Sequence, residues 1–163
     1  MLVLGLDPGS RCTGVGLVAE ESGVLRLVLA RALYLPQGKE LDEKLGFLFE
    51  ELIKIIDTYQ PGEAAIEDVF FAANARSALR LGQARGAAIT ACAWKNLKVF
   101  SYEPTRVKNS IVGVGRASKE QVAFMVKQML NSKASWPLDV SDALAVAITH
   151  LNARRLNTFL EKT

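Results

Sequence analysis

Histidine and cysteine are scarce in this 163-residue chain: one histidine, His150, and two cysteines, Cys12 and Cys92. A single histidine excludes multi-histidine zinc sites and makes a Ser-His-Asp triad a poor expectation. The cysteines match no metal or redox spacing, and such sparing use fits a reducing, cytoplasmic setting. No apolar run approaches the ~18–20 residues of a membrane span. The opening MLVLGLDPGS reaches Asp7 with no basic segment before it, so neither a membrane anchor nor a signal peptide is expected. Repeats, low-complexity tracts and linkers are also absent. Catalysis, if there is any, is left to carboxylates.

What the chain does have is one domain's worth of material, 50% hydrophobic and 23% charged, so residues 1–163 read as a single domain. A chain of this length buries enough surface to fold without disulfides or metals. The net charge of +3 conceals a segregation. Residues 1–70 hold six Lys/Arg against twelve Asp/Glu, whereas residues 71–119 hold nine against one. Such asymmetry marks either an anionic partner or a solvated helix face.

Alternating apolar residues from Leu2 to Leu6, then Cys12 to Ala19 and Val24 to Leu35, predict three consecutive antiparallel strands, with a hairpin turn at Glu21-Ser22-Gly23. Leu41, Leu45, Leu48, Leu52 and Ile56 switch to a helical period. Pro61-Gly62 stops that helix before a short strand, Ala64 to Ile66, that ends at Glu67. A small-residue helix follows over 74–94, then a strand from Lys98 to Tyr102. The capping box Ser118-Lys-Glu-Gln121 opens another helix, and a last one runs from Asp139 to about Leu156. The expected order is βββαβαβαα, an α/β domain with helices on both faces of a mixed sheet.

Carboxylates stand where apolar elements end. Asp7 closes the first strand, Glu67 the fourth, and Asp139 and Asp142 share one face at the start of the last helix. Ligands gather at the carboxyl ends of strands in open α/β sheets, so parallel first and fourth strands would bring Asp7 and Glu67 together there. Four converging acids need cations, and hard oxygen donors without imidazole or thiolate favour Mg²⁺ or Mn²⁺. Two such ions can drive phosphodiester hydrolysis. Each acid has an ordinary alternative, as a turn residue for Asp7 or a helix cap for Asp139 and Asp142; Glu67, directly after Ala-Ala-Ile, has the weakest one. Phosphate-loop motifs fail. In GVGRASK, Ser118 occupies the place of the second glycine and a helix rather than a strand leads in, while Gly14-Val-Gly16 lacks a third glycine.

Four blocks in unbroken order resemble the RuvC-type Holliday junction resolvases: LGLDPGSRCTGVG, IEDVFFAANARSALRLGQARGAAI, VKNSIVGVGRASKEQV and DVSDALAVAITH. The resemblance spans roughly Leu2 to Leu151. It implies an RNase H-like fold with a central mixed five-stranded sheet. It also implies a homodimer that resolves four-way DNA junctions by paired symmetric nicks in recombination and repair, served by the RuvA–RuvB branch-migration complex. The family's catalytic and metal-holding acids fall on Asp7, Glu67, Asp139 and Asp142, with two Mg²⁺ per site and Mn²⁺ as a substitute. Its lysines fall on Lys108 and Lys119, the second supporting charge at the scissile phosphate, and its base-stacking aromatic on Phe70, beside Phe71. Arg76 and Arg80, four residues apart on one helical face, lead the candidates for DNA contact, with Arg116 and Arg85 behind them.

Departures from the family pattern are informative. Relatives often carry a lysine where this chain has Ala72-Ala73, so one phosphate contact is either absent or supplied elsewhere. Some relatives carry histidine where Asp139 stands. Gly82 and Gly86 lie in the family's dimer region, with tight packing on the sheet as the alternative. Rival functions are a junction-binding module without turnover, an ATPase of related fold, and a nuclease for RNA–DNA hybrids.

Overall fold

The computed structural model describes residues 1–68 and 74–160, apart from the side chains of residues 158 and 159. Phe70, Phe71 and Ala72-Ala73 therefore lie outside the described residues. The elements run β1 (Leu2–Asp7), β2 (Cys12–Glu21), β3 (Val24–Tyr34), α1 (Leu41–Tyr59), β4 (Glu63–Glu67), α2 (Ala75–Trp94), β5 (Lys98–Tyr102), α3 (Pro104–Val112), α4 (Lys119–Met129) and α5 (Leu138–Leu160). The order gains one helix, α3. Its nine residues are too short for a clear apolar period, and only Val107 and Ile111 turn inward. Its start is set by Pro104 in the first turn and its end by Gly113 in the left-handed conformation.

The sheet order is β3-β2-β1-β4-β5. β1 to β3 pair antiparallel, and the two-residue turn Ser22-Gly23 has positive φ at both positions, as a right-twisted hairpin requires. β4 and β5 lie parallel to β1 and to each other, so the carboxyl ends of β1, β4 and β5 share one edge of the fold.

Each face of the sheet carries its own core. Leu4, Leu6, Val15, Leu17, Ala64 and Ile66 meet Leu48, Leu52 and Ile55 of α1 and the small residues Ala84, Ala88 and Ala91 of α2. On the other side Val3, Val18 and Ala65 meet α3, α4 and α5. α5 is buried over Val140–Ile148, which explains its lack of an amphipathic stripe. It can lie this close because the sheet offers no side chain at its points of nearest approach. A Cβ on Gly5 would overlap the carbonyl of Ala143, and one on Gly14 the carbonyl of Asp139. Gly14 pairs across from Asp7, so this contact sets the first turn of α5 directly against the end of β1.

His150 is buried on α5 and bonded at both ring nitrogens. Tyr102 Oη lies 2.7 Å from Nδ1 and Glu63 Oε2 lies 2.6 Å from Nε2, which a neutral ring protonated at Nε2 satisfies. Its role is to tie α5 to β4 and β5. Among the described residues no helix is long and apolar enough to cross a membrane.

Candidate functional site

Asp7 and Glu67 are the last residues of two parallel neighbours, and Asp139 and Asp142 occupy the first turns of α5 over Gly14. The four acids share one electrostatic environment. Burial raises Asp7 well above the ordinary carboxylate range, and the charges of Glu67, Asp142 and Asp139 push in the same direction. Glu67 is raised by burial and by Asp142, while Lys119, Lys108 and a hydrogen bond with Asp7 act against the rise. Both directions have one cause: negative charge is crowded into a partly dry cleft.

Lys119 is the first residue of α4. The reciprocal cap between Ser118 and Gln121 fixes that helix start, and Lys119 Nζ then reaches Asp142 Oδ2 at 2.6 Å. Asp142 is nearly buried while the lysine stem remains half exposed, so the ammonium stands at the mouth of the cluster. Lys108, on α3, is near enough to act on Glu67. Arg116 is exposed on the loop between α3 and α4 and has no ion-pair partner among the described residues.

Burial, with the nearby Asp139 carboxylate acting in the same direction, pushes the Cys12 thiol up to about 11. It therefore stays protonated at neutral pH, when it is a weak metal ligand. The donor set that remains is all oxygen, which fits a hard divalent cation. Among the described residues no three His, Cys, Asp or Glu side chains stand as a ready ligand cluster. Instead, Lys119 holds Asp142, and Asp7 and Glu67 have a strong tendency to keep protons. An entering cation would replace these positive charges.

Beside the acids, a groove opens at Ser10, three residues after Asp7. Two contiguous cavities of ≈ 400 and ≈ 740 Å³ share Ser10, Leu35, Lys44 and Arg80. Arg11, Lys44, Arg76 and Arg80 line them, and none of the four has an ion pair or hydrogen bond among the described side chains. The nearby Glu40 precedes α1, its N–H donating to Glu43 Oε2 at 3.2 Å, and Lys39 is paired with the same Glu43. The spacing of Arg76 and Arg80 pointed to this surface. Arg11 and Lys44 went unnoticed because they are distant in sequence and converge only through the β3–α1 connection.

Arg85 differs from its expected place at DNA: it is turned inward to Asp68, Ser101 and the Glu67 carbonyl. Gly82 and Gly86 do not pack on the sheet, since a Cβ on either would meet open space. They belong with exposed Leu79 and Thr90 to the outer face of α2.

The family model described as "Crossover junction endodeoxyribonuclease RuvC" matches residues 3–150. A curated protein of that name from Oleidesulfovibrio alaskensis is 56% identical over 154 residues, covering 94% of this chain and 92% of the relative. Another from Solidesulfovibrio magneticus is 51% identical, covering 95% and 92%. Among solved structures, T. thermophilus RuvC in complex with Holliday junction substrate superposes with a TM-score of 0.91 at 32% identity, covering 97% of each chain.

Proposed function

The chain belongs to the RuvC family of crossover junction endodeoxyribonucleases, and from that premise we propose that it resolves four-way DNA junctions at the acidic cluster. The fold is the RNase H-like architecture of the solved relative. The observation that carries the site assignment is the convergence of Asp7, Glu67, Asp139 and Asp142, whose mutual repulsion a pure binding module would have no use for.

In this reading Asp7, Glu67, Asp139 and Asp142 hold divalent cations, Mg²⁺ by preference and Mn²⁺ as a substitute. Two bound cations would supply an activated water and charge stabilisation for the departing 3′ oxygen. The protein's own residues do the rest. Asp7 and Glu67 would have to be ionised to hold those cations. Lys119 leaves Asp142 and turns to the scissile phosphate, where its charge offsets the charge that develops in the transition state. Lys108 supports the same phosphate from α3. Arg11, Lys44, Arg76, Arg80 and exposed Arg116 hold the backbone of the junction arms. Phe70 stacks on a base near the crossover.

Two nicks at symmetric positions require two sites, and the open outer face of α2 (Leu79, Gly82, Gly86, Thr90) suits a second copy, because small residues let helices approach closely. Delivery of junctions by a RuvA–RuvB complex goes with the same reading. The deciding experiment is cleavage of a mobile four-way junction in Mg²⁺, mapped on all four strands. Paired nicks in two strands of like polarity are expected. Random nicking, or equal cleavage of RNA–DNA hybrids, would overturn junction resolution.

A further inference from the structure

Glu67 stands at a strand end that is paired on one side only, with Tyr102 of β5. The ladder between β1 and β4 stops at Leu6 and Ile66, so Glu67 extends one residue beyond its last β1 partner. Its carboxylate meanwhile faces the like charge of Asp142. Such repulsion, acting on the last residue of a strand, pushes the carboxylate away from the cluster unless something holds the chain.

On the β5 side the holding contacts are visible. Asp68 N–H donates to the Tyr102 carbonyl at 2.9 Å, continuing the β4–β5 pairing past Glu67. From across the sheet, one guanidinium reaches three groups. Arg85 Nη2 donates to Asp68 Oδ1 at 2.5 Å and to Ser101 Oγ at 2.6 Å, and Nε donates to the Glu67 carbonyl oxygen at 3.4 Å. The Arg85 side chain is only 22% exposed. It spans α2, β4 and β5 and is turned away from a phosphate backbone. The Arg85–Asp68 pair also neutralises the acid next in sequence to Glu67.

We propose that Arg85 is a positioning residue for the cleavage reaction: its guanidinium clamps the end of β4 and so holds the Glu67 carboxylate in the acidic cluster. The inference rests on the reading of that cluster as the nuclease site. Only the planar fork of arginine reaches all three acceptors at once; an ammonium is a point donor on a shorter stem.

The test uses the full chain and the variants Arg85→Ala, Arg85→Lys and Asp68→Ala. Three quantities are read: Mn²⁺ affinity of the junction-free protein by electron paramagnetic resonance, junction affinity across a salt series, and single-turnover cleavage at saturating protein. Arg85→Ala is expected to weaken Mn²⁺ binding and slow saturated cleavage by roughly 10–100-fold, the range for residues that orient metal-holding groups. Junction affinity and its salt slope should stay within about twofold of wild type, because the clamp makes no phosphate contact. Arg85→Lys should recover part of both effects. Asp68→Ala should give a smaller reduction in the same direction, and it serves as the test if Arg85→Ala does not fold.

Unchanged Mn²⁺ affinity and saturated cleavage in the folded variants would overturn the proposal. So would weakened junction affinity with a shallower salt slope and full recovery at saturation, which would make Arg85 a DNA contact. If the wild type binds Mn²⁺ and junction yet never nicks, the nuclease reading fails. Mn²⁺ affinity in Arg85→Ala still judges the clamp in that case.

Discussion

At Asp7 the folded protein keeps a proton that the unfolded chain loses near pH 4, since burial and neighbouring acids raise this carboxyl from 3.8 to about 8. Glu67 is raised likewise, to about 7. A group that binds its proton more tightly when folded stabilises the fold at low pH, and that contribution is lost as pH rises through the interval between the two values. The cluster therefore costs stability at neutral pH, which is the ordinary price of a functional site. Asp7→Asn should abolish Mg²⁺-dependent junction cleavage, leave junction binding within about twofold, and raise the metal-free melting temperature at pH 8. A relief of ~1 kcal/mol corresponds to ~2–4 °C in a chain of this size. Added Mg²⁺ should raise the melting temperature of the wild type and not of the variant. The same two protons predict that cleavage at fixed Mg²⁺ climbs between about pH 6 and about pH 8.5, because cation and proton compete for the carboxylates; a flat profile would contradict it.

Among the elements, α5 does the most for the site, and it does so through what the sheet lacks. Gly14, paired with Asp7 and pressed under Asp139, allows the helix to set its first turn on β1. Gly14→Ala should lift that turn, with a stability loss of ~1–3 kcal/mol from overpacking and at least a tenfold fall in saturated cleavage, measured beside a denaturant titration. α4 contributes through its cap. Removing the Ser118 hydroxyl in Ser118→Ala should cost ~1 kcal/mol and loosen Lys119, so that cleavage falls more than binding. Most of these elements were legible in the sequence, because period, turn residues and capping boxes are local signals. α3 was missing from the expected order because nine residues with two inward positions carry almost no period.

Across the whole molecule, charge is arranged on two adjoining surfaces: acids at the strand ends, and along the groove that starts at Ser10 a row of cations with no ion pair among the described residues. Bound divalent cations would reverse the sign of the first and leave one continuous face attractive to phosphate. The double variant Arg11→Ala/Lys44→Ala should lower junction affinity and reduce the salt slope by nearly one for each phosphate that it no longer neutralises, while saturated cleavage stays near wild type. A change in saturated cleavage with unaltered salt slope would remove the groove from the DNA path.

The sequence by itself determined the α/β class, the strand pairing near the hairpin, the cap of α4 at Ser118 and the candidacy of the four acids. All of these follow from short-range patterns and from carboxylates at the ends of apolar runs. Only the tertiary structure decided which cations face the groove and which turn inward. Arg76 and Arg80 face the groove, and Arg85, on the same helix, is drawn inward by Asp68, a residue seventeen positions away. The preferred place of a long charged side chain depends on the nearest opposite charge and on the water around it, and both are set by packing rather than by spacing along the chain.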